Sequence, residues 1–389
     1  MRNIRTYNNI SPVGLARFPQ DDYLLSADIS NPDALMLRSQ NLHQEDFPES
    51  VKAIARCGAG VNNIPVDQCT HQGIVVFNTP GANANAVKEL VLTGMLMSAR
   101  KVAQGLEFVA GLDGQSGADD FNKLVEREKK RFVGGELNGK TLGVVGLGAI
   151  GASVAHAALN LGMRVIGYDP VLSVDAAWRL SSQIEKAENL ASLLSRCDYV
   201  SLHVPANAHT KGLINAEMLA NIQVGATLLN FARGSIVEED ALLSALAEER
   251  LSAYVCDFPS PALLGQSRVL LLPHLGASTQ EAEQNCARMA AEQLIDFLEN
   301  GNIRNSVNFP DIYLERSGGH RIAFANDNVP NVLSQVLAKL SALDINVMDM
   351  LNKSRGDIAY TILDVADEPG EHVLNEIASI EHVFHVSRF

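Results

Sequence analysis

The residues Gly146-Leu147-Gly148-Ala149-Ile150-Gly151 follow a short apolar run, TLGVV. A helix-like segment comes next, and a second apolar run ends in Asp169, eighteen positions after Gly151. In such a turn the first glycine permits tight reversal, the second lets the backbone approach a pyrophosphate, and the third lets helix and strand pack closely. The helix opening there aims unpaired N–H groups at phosphate. Strand, glycine turn, helix, strand and acid at this spacing point to dinucleotide binding. The Asp169 carboxylate suits a ribose 2′-OH and would repel a 2′-phosphate, which favours NAD over NADP. Further apolar runs end at His203, Arg233, Asp257 and His274. Hydride transfer between NAD and a 2-hydroxy or 2-oxo acid needs a cation for the carboxylate and C2 oxygen, a proton carrier, and a carboxylate to orient that carrier. Arg233, His274 and a nearby acid can supply these roles. The competing reading of Arg233, the weaker one even in isolation, is a surface cation, whereas a lone His274 reads as a satisfied structural histidine. Placement at the same sheet edge as the glycine turn favours the chemical reading. His203 is the rival proton carrier, ranked lower because the nearby Pro205 suggests a wall residue at the cofactor.

These residues must be positioned by strands. From residue 141 onward, apolar runs alternate with helical patterns, the sequence form of a doubly wound parallel sheet. In such sheets ligands lie outside the carboxyl ends of the strands, where the residues named above stand. Residues 1–80 also read as α/β, with strands in LMLRS (35–39), VKAIARCG (51–58) and GIVVFNTP (73–80). A long helix is expected from about Asn83 to Gly105. Residues 111–140 are polar and Gly-rich and read as a connection between lobes. Their charged piece EREKKRF (126–132) reads as a solvated face. A helix capped by Ser278 or Thr279 is expected to stop at Gly301. After Ser317-Gly318-Gly319, residues 320–389 read strand, helix, strand, strand, helix, strand, a ferredoxin-like βαββαβ unit.

The 389 residues are 47% hydrophobic and 20% charged, ordinary for two or three globular domains. A net charge of −14 argues against nucleic acid or an anionic membrane as main partner. Cys57, Cys69, Cys197, Cys256 and Cys286 are scattered and lack a CxxC pair, which predicts reduced thiols and no zinc site. No signal peptide and no span-length apolar stretch is visible, so a cytoplasmic protein is expected.

The segments RCGAGVNNI (56–64), VFNTPGANANAVKELV (76–91), ELNGKTLGVVGLGAIG (136–151), NFARGSIVEEDALLSAL (230–246) and LPHLGASTQEAEQNCA (272–287) resemble the D-isomer-specific 2-hydroxyacid dehydrogenases. Within that family they are most similar to the branch that oxidises 3-phosphoglycerate to 3-phosphohydroxypyruvate. The resemblance implies a Rossmann-type NAD-binding domain (96–282) inserted in a flavodoxin-like substrate domain (1–95 and 283–315), with the active site in the cleft. Arg233 and His274 take the positions of the catalytic arginine and histidine. The usual catalytic glutamate, five residues after the strand-end aspartate, is absent: after Asp257 the text is FPSPALL, with Pro261 and Ala262 where it would fall. Asp257, another acid, or an unpartnered His274 must then serve. The resemblance also places Ala149 and Ile150 at the pyrophosphate, with Phe231, Ala232, Gly276, Ala277 and Asp257 near the nicotinamide. On the substrate side it implies the turn Gly58-Ala59-Gly60 and Asn83, and Arg38, Ser39 and Arg56 suit a 3-phosphate. Arg38 reads alternatively as a surface ion pair, and Lys88 as a helix-surface lysine. Alternatives in function are a sibling hydroxypyruvate, glyoxylate or 2-oxoglutarate reductase, or an NAD-sensing corepressor-like protein. Residues 320–389 resemble an ACT domain, which implies an amino-acid effector such as L-serine at Asn326, Asn328 and Asn346. The usual histidine and glycine of that loop are Asn326 and Asn331 here, and a purely structural pairing domain is the other reading. The family's assembly implies a homodimer or homotetramer.

Overall fold

The computed structural model describes residues 1–112 and 118–389; the DGQSG part of the expected connection (113–117) lies outside them. The chain divides into two compact units, residues 1–83 with 280–389, and residues 84–279.

The second unit is built on seven parallel strands. They are β6 (Thr141–Val145), β7 (Arg164–Tyr168), β8 (Ile184–Lys186), β9 (Tyr199–Leu202), β10 (Ala226–Asn230), β11 (Leu251–Cys256) and β12 (Val269–Leu271). Their order, β12-β11-β10-β9-β6-β7-β8, is the doubly wound dinucleotide-binding order with one strand added at an edge. The strand order reverses between β6 and β9, which opens a crevice at their carboxyl ends. Helices cover both faces, so β6 and β10 read as continuous apolar runs and every residue in them is buried. The helix Ala84–Ala99 buries Val87, Val91, Met95 and Ala99 in the same core as Leu142, Val144 and Phe231. That packing moves the boundary: the unit begins at 84, not at the expected 96, and ends at 279, not 282. The single helix expected to Gly105 breaks at Lys101, which is left-handed at φ 49°, and a second helix, Val102–Ala110, follows. EREKKRF ends the helix Ala118–Glu128 and forms a short 3₁₀ turn, with Arg127 and Arg131 paired to Glu128 on an exposed face.

The first unit holds two sheets. Strands β1 (Arg2–Thr6), β2 (Tyr23–Ser26), β3 (Ala34–Leu37), β4 (Ala53–Arg56) and β5 (Val75–Phe77) are parallel in the order β2-β1-β3-β4-β5, the flavodoxin-like arrangement. Alternation sorts their side chains by face. Ile4, Met36, Ala55 and Phe77 meet the helix Gln280–Asn300 through Ala287, Ala290, Leu294 and Phe297. Leu35, Leu37, Ile54 and Val76 meet Leu42, Ile64 and Cys69 on the other. In RNIRT only Ile4 is buried, which is why β1 carries little strand signal.

Strands β13 (His320–Asp327), β14 (Val347–Arg355), β15 (Ile358–Val365) and β16 (Val383–Arg388) form the antiparallel sheet β14-β15-β13-β16, with helices Val332–Ala342 and Glu371–Ala378. This is the ferredoxin-like unit. Its helices cover Ile322, Phe324, Leu363 and Val365. Its other face, Ala323, Ala325, Tyr360 and Ile362, joins the core that contains Phe297 and Phe309. Residues 320–389 therefore pack as part of the first unit, not as a detached domain. Arg321, fully buried, fixes the join. Its guanidinium forks onto the buried Asp364 at 2.7 and 2.9 Å and donates to the carbonyls of Asn300, Leu314 and Glu315.

Candidate functional site: a dinucleotide crevice and a glycine turn

The three glycines of the 146–151 turn do three different jobs. Gly146 has φ 91°, and a Cβ there would fall 2.8 Å from the His203 backbone. A Cβ on Gly151 would lie 1.9 Å from the Gly146 carbonyl oxygen, a contact no side chain can relieve. Around Gly148 there is open space, and the helix Ala149–Asn160 starts there with exposed Gly148 and Ala149. Its first N–H groups lack intrahelical acceptors and carry the positive end of the helix dipole. Asp169 accepts the Leu147 N–H at 2.8 Å and the Val171 N–H at 3.0 Å, one on each oxygen. A carboxylate has about four acceptor sites, so capacity remains for ribose hydroxyls. The donor set thus fits a dinucleotide with an unphosphorylated ribose.

Arg233 and His274 lie at the carboxyl edge of the same sheet, and both are exposed. Phe258 links them: Arg233 Cζ lies 5.8 Å from its ring centre, and the His274 ring centre is 4.9 Å away. Asn230, fully buried at the end of β10, braces the arginine turn by accepting the Ala232 N–H at 3.2 Å and donating to the Arg233 carbonyl at 2.9 Å. Asp257 is 1% exposed and makes no hydrogen bond to the His274 imidazole. Its two oxygens accept the N–H groups of Leu275 and Gly276, each at 2.7 Å. Those bonds hold the turn in which His274 adopts φ 57°. Among the described residues no carboxylate bonds the imidazole, so the missing glutamate has no replacement in direct contact. Phe231 is 6% exposed and its ring packs in the core beside Gly94. The His203 imidazole bonds Ser201 Oγ at 2.8 Å, and burial pushes its pKa down to about 4. It is therefore neutral near pH 7 and suited to a wall.

In the first unit, β4 ends in Arg56 and runs into Gly58-Ala59-Gly60. A Cβ on Gly58 would fall 2.3 Å from Arg56 Nη1, so the absence of a side chain lets the guanidinium lie over the turn. Arg56 Nε donates to the Arg38 carbonyl at 3.1 Å. Arg38 is half-exposed and pairs with Glu283 at 2.6 Å. Asn83 Oδ1 is buried without a hydrogen-bond partner among the described residues. Ser39 presents its N–H to Asn8 Oδ1 at 3.1 Å. In the C-terminal sheet, Asn326 is buried with its Oδ1 unpartnered, whereas Asn328 and Asn346 are exposed. Asn331 is left-handed at φ 74°, a conformation asparagine tolerates better than most residues.

Residues 92–276 match the family described as D-isomer specific 2-hydroxyacid dehydrogenase, NAD binding domain. Over 364 residues, 90% of this chain and 84% of the relative, the sequence is 32% identical to D-3-phosphoglycerate dehydrogenase of Escherichia coli strain K12. The chain belongs to the D-isomer-specific 2-hydroxyacid dehydrogenases. A D-3-phosphoglycerate dehydrogenase of Synechocystis sp. is 38% identical over 292 residues, but the match spans 72% of this chain and 49% of that protein. The chain thus covers about half the length of some curated relatives. The solved NAD⁺-bound 3-phosphoglycerate dehydrogenase of Entamoeba histolytica aligns with a TM-score of 0.61 at 26% identity, covering 80% of this chain and 99% of that one. As a 2-hydroxyacid dehydrogenase, the chain has its NAD-binding domain in the second unit. Asn230, which also donates to the Tyr254 hydroxyl at 3.2 Å, and Phe258 are supporting residues that the motifs do not mark. A buried asparagine at the end of an apolar strand was their one sequence signal.

Proposed function

We propose that this dehydrogenase oxidises 3-phospho-D-glycerate to 3-phosphohydroxypyruvate with NAD, the entry step of L-serine synthesis. The observation that carries the reading is Arg56 lying over the Gly58–Gly60 turn, with Arg38 adjacent, in a chain whose relatives bear that name. Backbone donors of the turn take the substrate carboxylate, and the arginines take the phosphate. Arg233 holds the C2 oxygen as its charge changes. His274 removes the hydroxyl proton, and the O–H electron pair forms the C2 carbonyl as the C2–H bond breaks. The second unit's glycine turn and Asp169 would hold NAD, which would supply the two-electron hydride acceptor for that hydrogen. Asp257 acts as a positioning residue through the backbone of the His274 turn.

A second reading, a reductase of unphosphorylated 2-oxo acids, is favoured by the Arg38–Glu283 pair, which already occupies one of the two cations. A panel of 3-phosphoglycerate, hydroxypyruvate, glyoxylate and 2-oxoglutarate, assayed with the matching NAD or NADH, separates the two. The first reading expects the highest kcat/KM on 3-phosphoglycerate and a rise in KM for that substrate alone in Arg38→Ala. Equal effects across the panel support the second. Turnover of any acid excludes a purely NAD-sensing role. Repeating the panel with L-serine tests the effector role of Asn326, Asn328 and Asn346.

Two further proposals concern the protein's setting. The helix Val102–Ala110 buries no residue within the chain and exposes Val102, Leu106 and Val109 along one side, a surface suited to a second copy. All five cysteines are free and buried, which supports a reducing compartment, the cytoplasm. Among the described residues no helix is long and apolar enough to cross a membrane, and no His, Cys, Asp and Glu cluster could hold a metal ion.

A further inference from the structure

The segment 305–309 is gripped from two sides. On one side it extends the first sheet beyond β5. Asn305 O accepts the Asn78 N–H at 3.4 Å, Ser306 bridges Phe77, and the Val307 N–H donates to Val76 O at 2.9 Å. Asn308 Oδ1 accepts the Val76 N–H at 2.9 Å. On the other side Arg355, the last residue of β14, donates from Nη1 to Ser306 O at 2.7 Å and Phe309 O at 3.4 Å. Phe309 packs edge-on against Tyr360 of β15.

Each side continues to a candidate site. Arg355 precedes the hairpin turn Gly356-Asp357. Asn328 holds that turn, its N–H donating to Asp357 O at 2.8 Å and its Nδ2 to Gly356 O at 3.1 Å. At the other end, Asn78 Nδ2 donates to Ala59 O at 2.6 Å, and the Thr79 N–H donates to Gly58 O at 3.1 Å. An unbroken hydrogen-bonded path therefore runs from Asn328 to the glycine turn, through Arg355 and the 305–309 segment.

We propose that Arg355 is a positioning residue for the substrate turn. By seating residues 305–309 on β5 it fixes Asn78 and thereby the carbonyls of Gly58 and Ala59, so the Ala59 and Gly60 N–H groups face the substrate carboxylate, the Gly58 N–H being held by Arg56 O at 2.9 Å. The same link carries the state of the Asn328 loop to the turn. This rests on the turn's being the carboxylate site of the reaction proposed above. Arg355 is a more fitting agent than the buried Arg321, because its bonds end on the segment that pairs with β5.

The test is a double-mutant cycle on the full chain, with 3-phosphoglycerate and NAD: Arg355→Ala, Asn78→Ala and both together. Each single variant is expected to raise KM about three- to tenfold, the range of one or two net hydrogen bonds, with kcat within about twofold. The double variant should rise no further than the larger single one, and Arg355→Lys should recover part of the loss. Multiplying effects would overturn the proposal. Amide hydrogen exchange gives a readout independent of turnover. Faster exchange at residues 56–60 in Arg355→Ala, with β13 and β15 still protected, supports the link; unchanged exchange there overturns it. If the wild-type protein turns over no 2-hydroxy acid, the functional reading fails while the exchange result still decides the link.

Discussion

The position of His274 depends on a carboxylate that makes no hydrogen bond to its ring. Asp257 is buried and binds the backbone on the C-terminal side of His274, which holds a histidine in a left-handed conformation. His274→Ala is expected to reduce kcat by about 10²- to 10⁴-fold, the usual weight of a general base, with NADH affinity by fluorescence titration unchanged. Asp257→Asn should act differently. An amide can accept only one of the two N–H groups, leaving a buried donor unpaired at about 1–3 kcal/mol. Its kcat should fall while its pH–rate profile stays superimposable on that of the wild type. A shift of that profile would instead make Asp257 a direct partner of the imidazole. At this scale the sequence showed the glycines well, because Gly146 needs a left-handed conformation and Gly151 a contact that only glycine meets, while Gly148 leaves open the space a phosphate would use. It did not show Asn230, whose bonds to its own turn leave no spacing pattern, or Phe258, whose neighbours Arg233 and His274 are kept apart by chain order.

Among the elements, the two parallel sheets were legible from alternating apolar runs, and the antiparallel one from its βαββαβ order. β1 was not, because it buries only Ile4. The helix break at Lys101 was also hidden, since no glycine or proline marks it. Nor could pattern show that the C-terminal sheet buries both faces, since its alanines suit either a surface or a close contact. Arg321 and Asp364 secure that arrangement. Burial raises the Asp364 pKa, but the bonds from Arg321 and Ser317 outweigh it and leave the group lowered. A carboxyl lowered on folding contributes stability that is complete above its unfolded value of about 4 and is lost as pH falls through the folded value. Arg321→Ala leaves a buried, unpaired carboxylate and is expected to cost about 3–5 kcal/mol in urea unfolding. Arg321→Met with Asp364→Leu should recover most of that loss. Between pH 5 and pH 3, by about the same principle, the double variant should lose less stability than the wild type.

For the whole molecule, the helix Val102–Ala110 is the place to look for assembly. Leu106 is 63% and Val109 56% exposed, and Leu96 and Val133 are exposed as well. If a second copy covers this surface, Leu106→Glu should shift sedimentation towards the single chain while NAD affinity is retained. An unchanged sedimentation coefficient would place the assembly elsewhere.

The shared core of the first unit bears on modularity. Sensor domains at the end of an enzyme are often imagined as parts that can be trimmed, swapped or grafted. Here Phe297 of the helix Gln280–Asn300 and Phe309 share one core with Ala323, Ala325, Tyr360 and Ile362 of the C-terminal sheet, and Arg321 satisfies carbonyls that precede its own sheet. Cutting at Ser317 would not release a spare part. It would strip the substrate-side helix of its cover and leave an apolar wound prone to aggregation. The sheet that reads as an accessory is thus inseparable from the fold it follows, and any transplant must carry both.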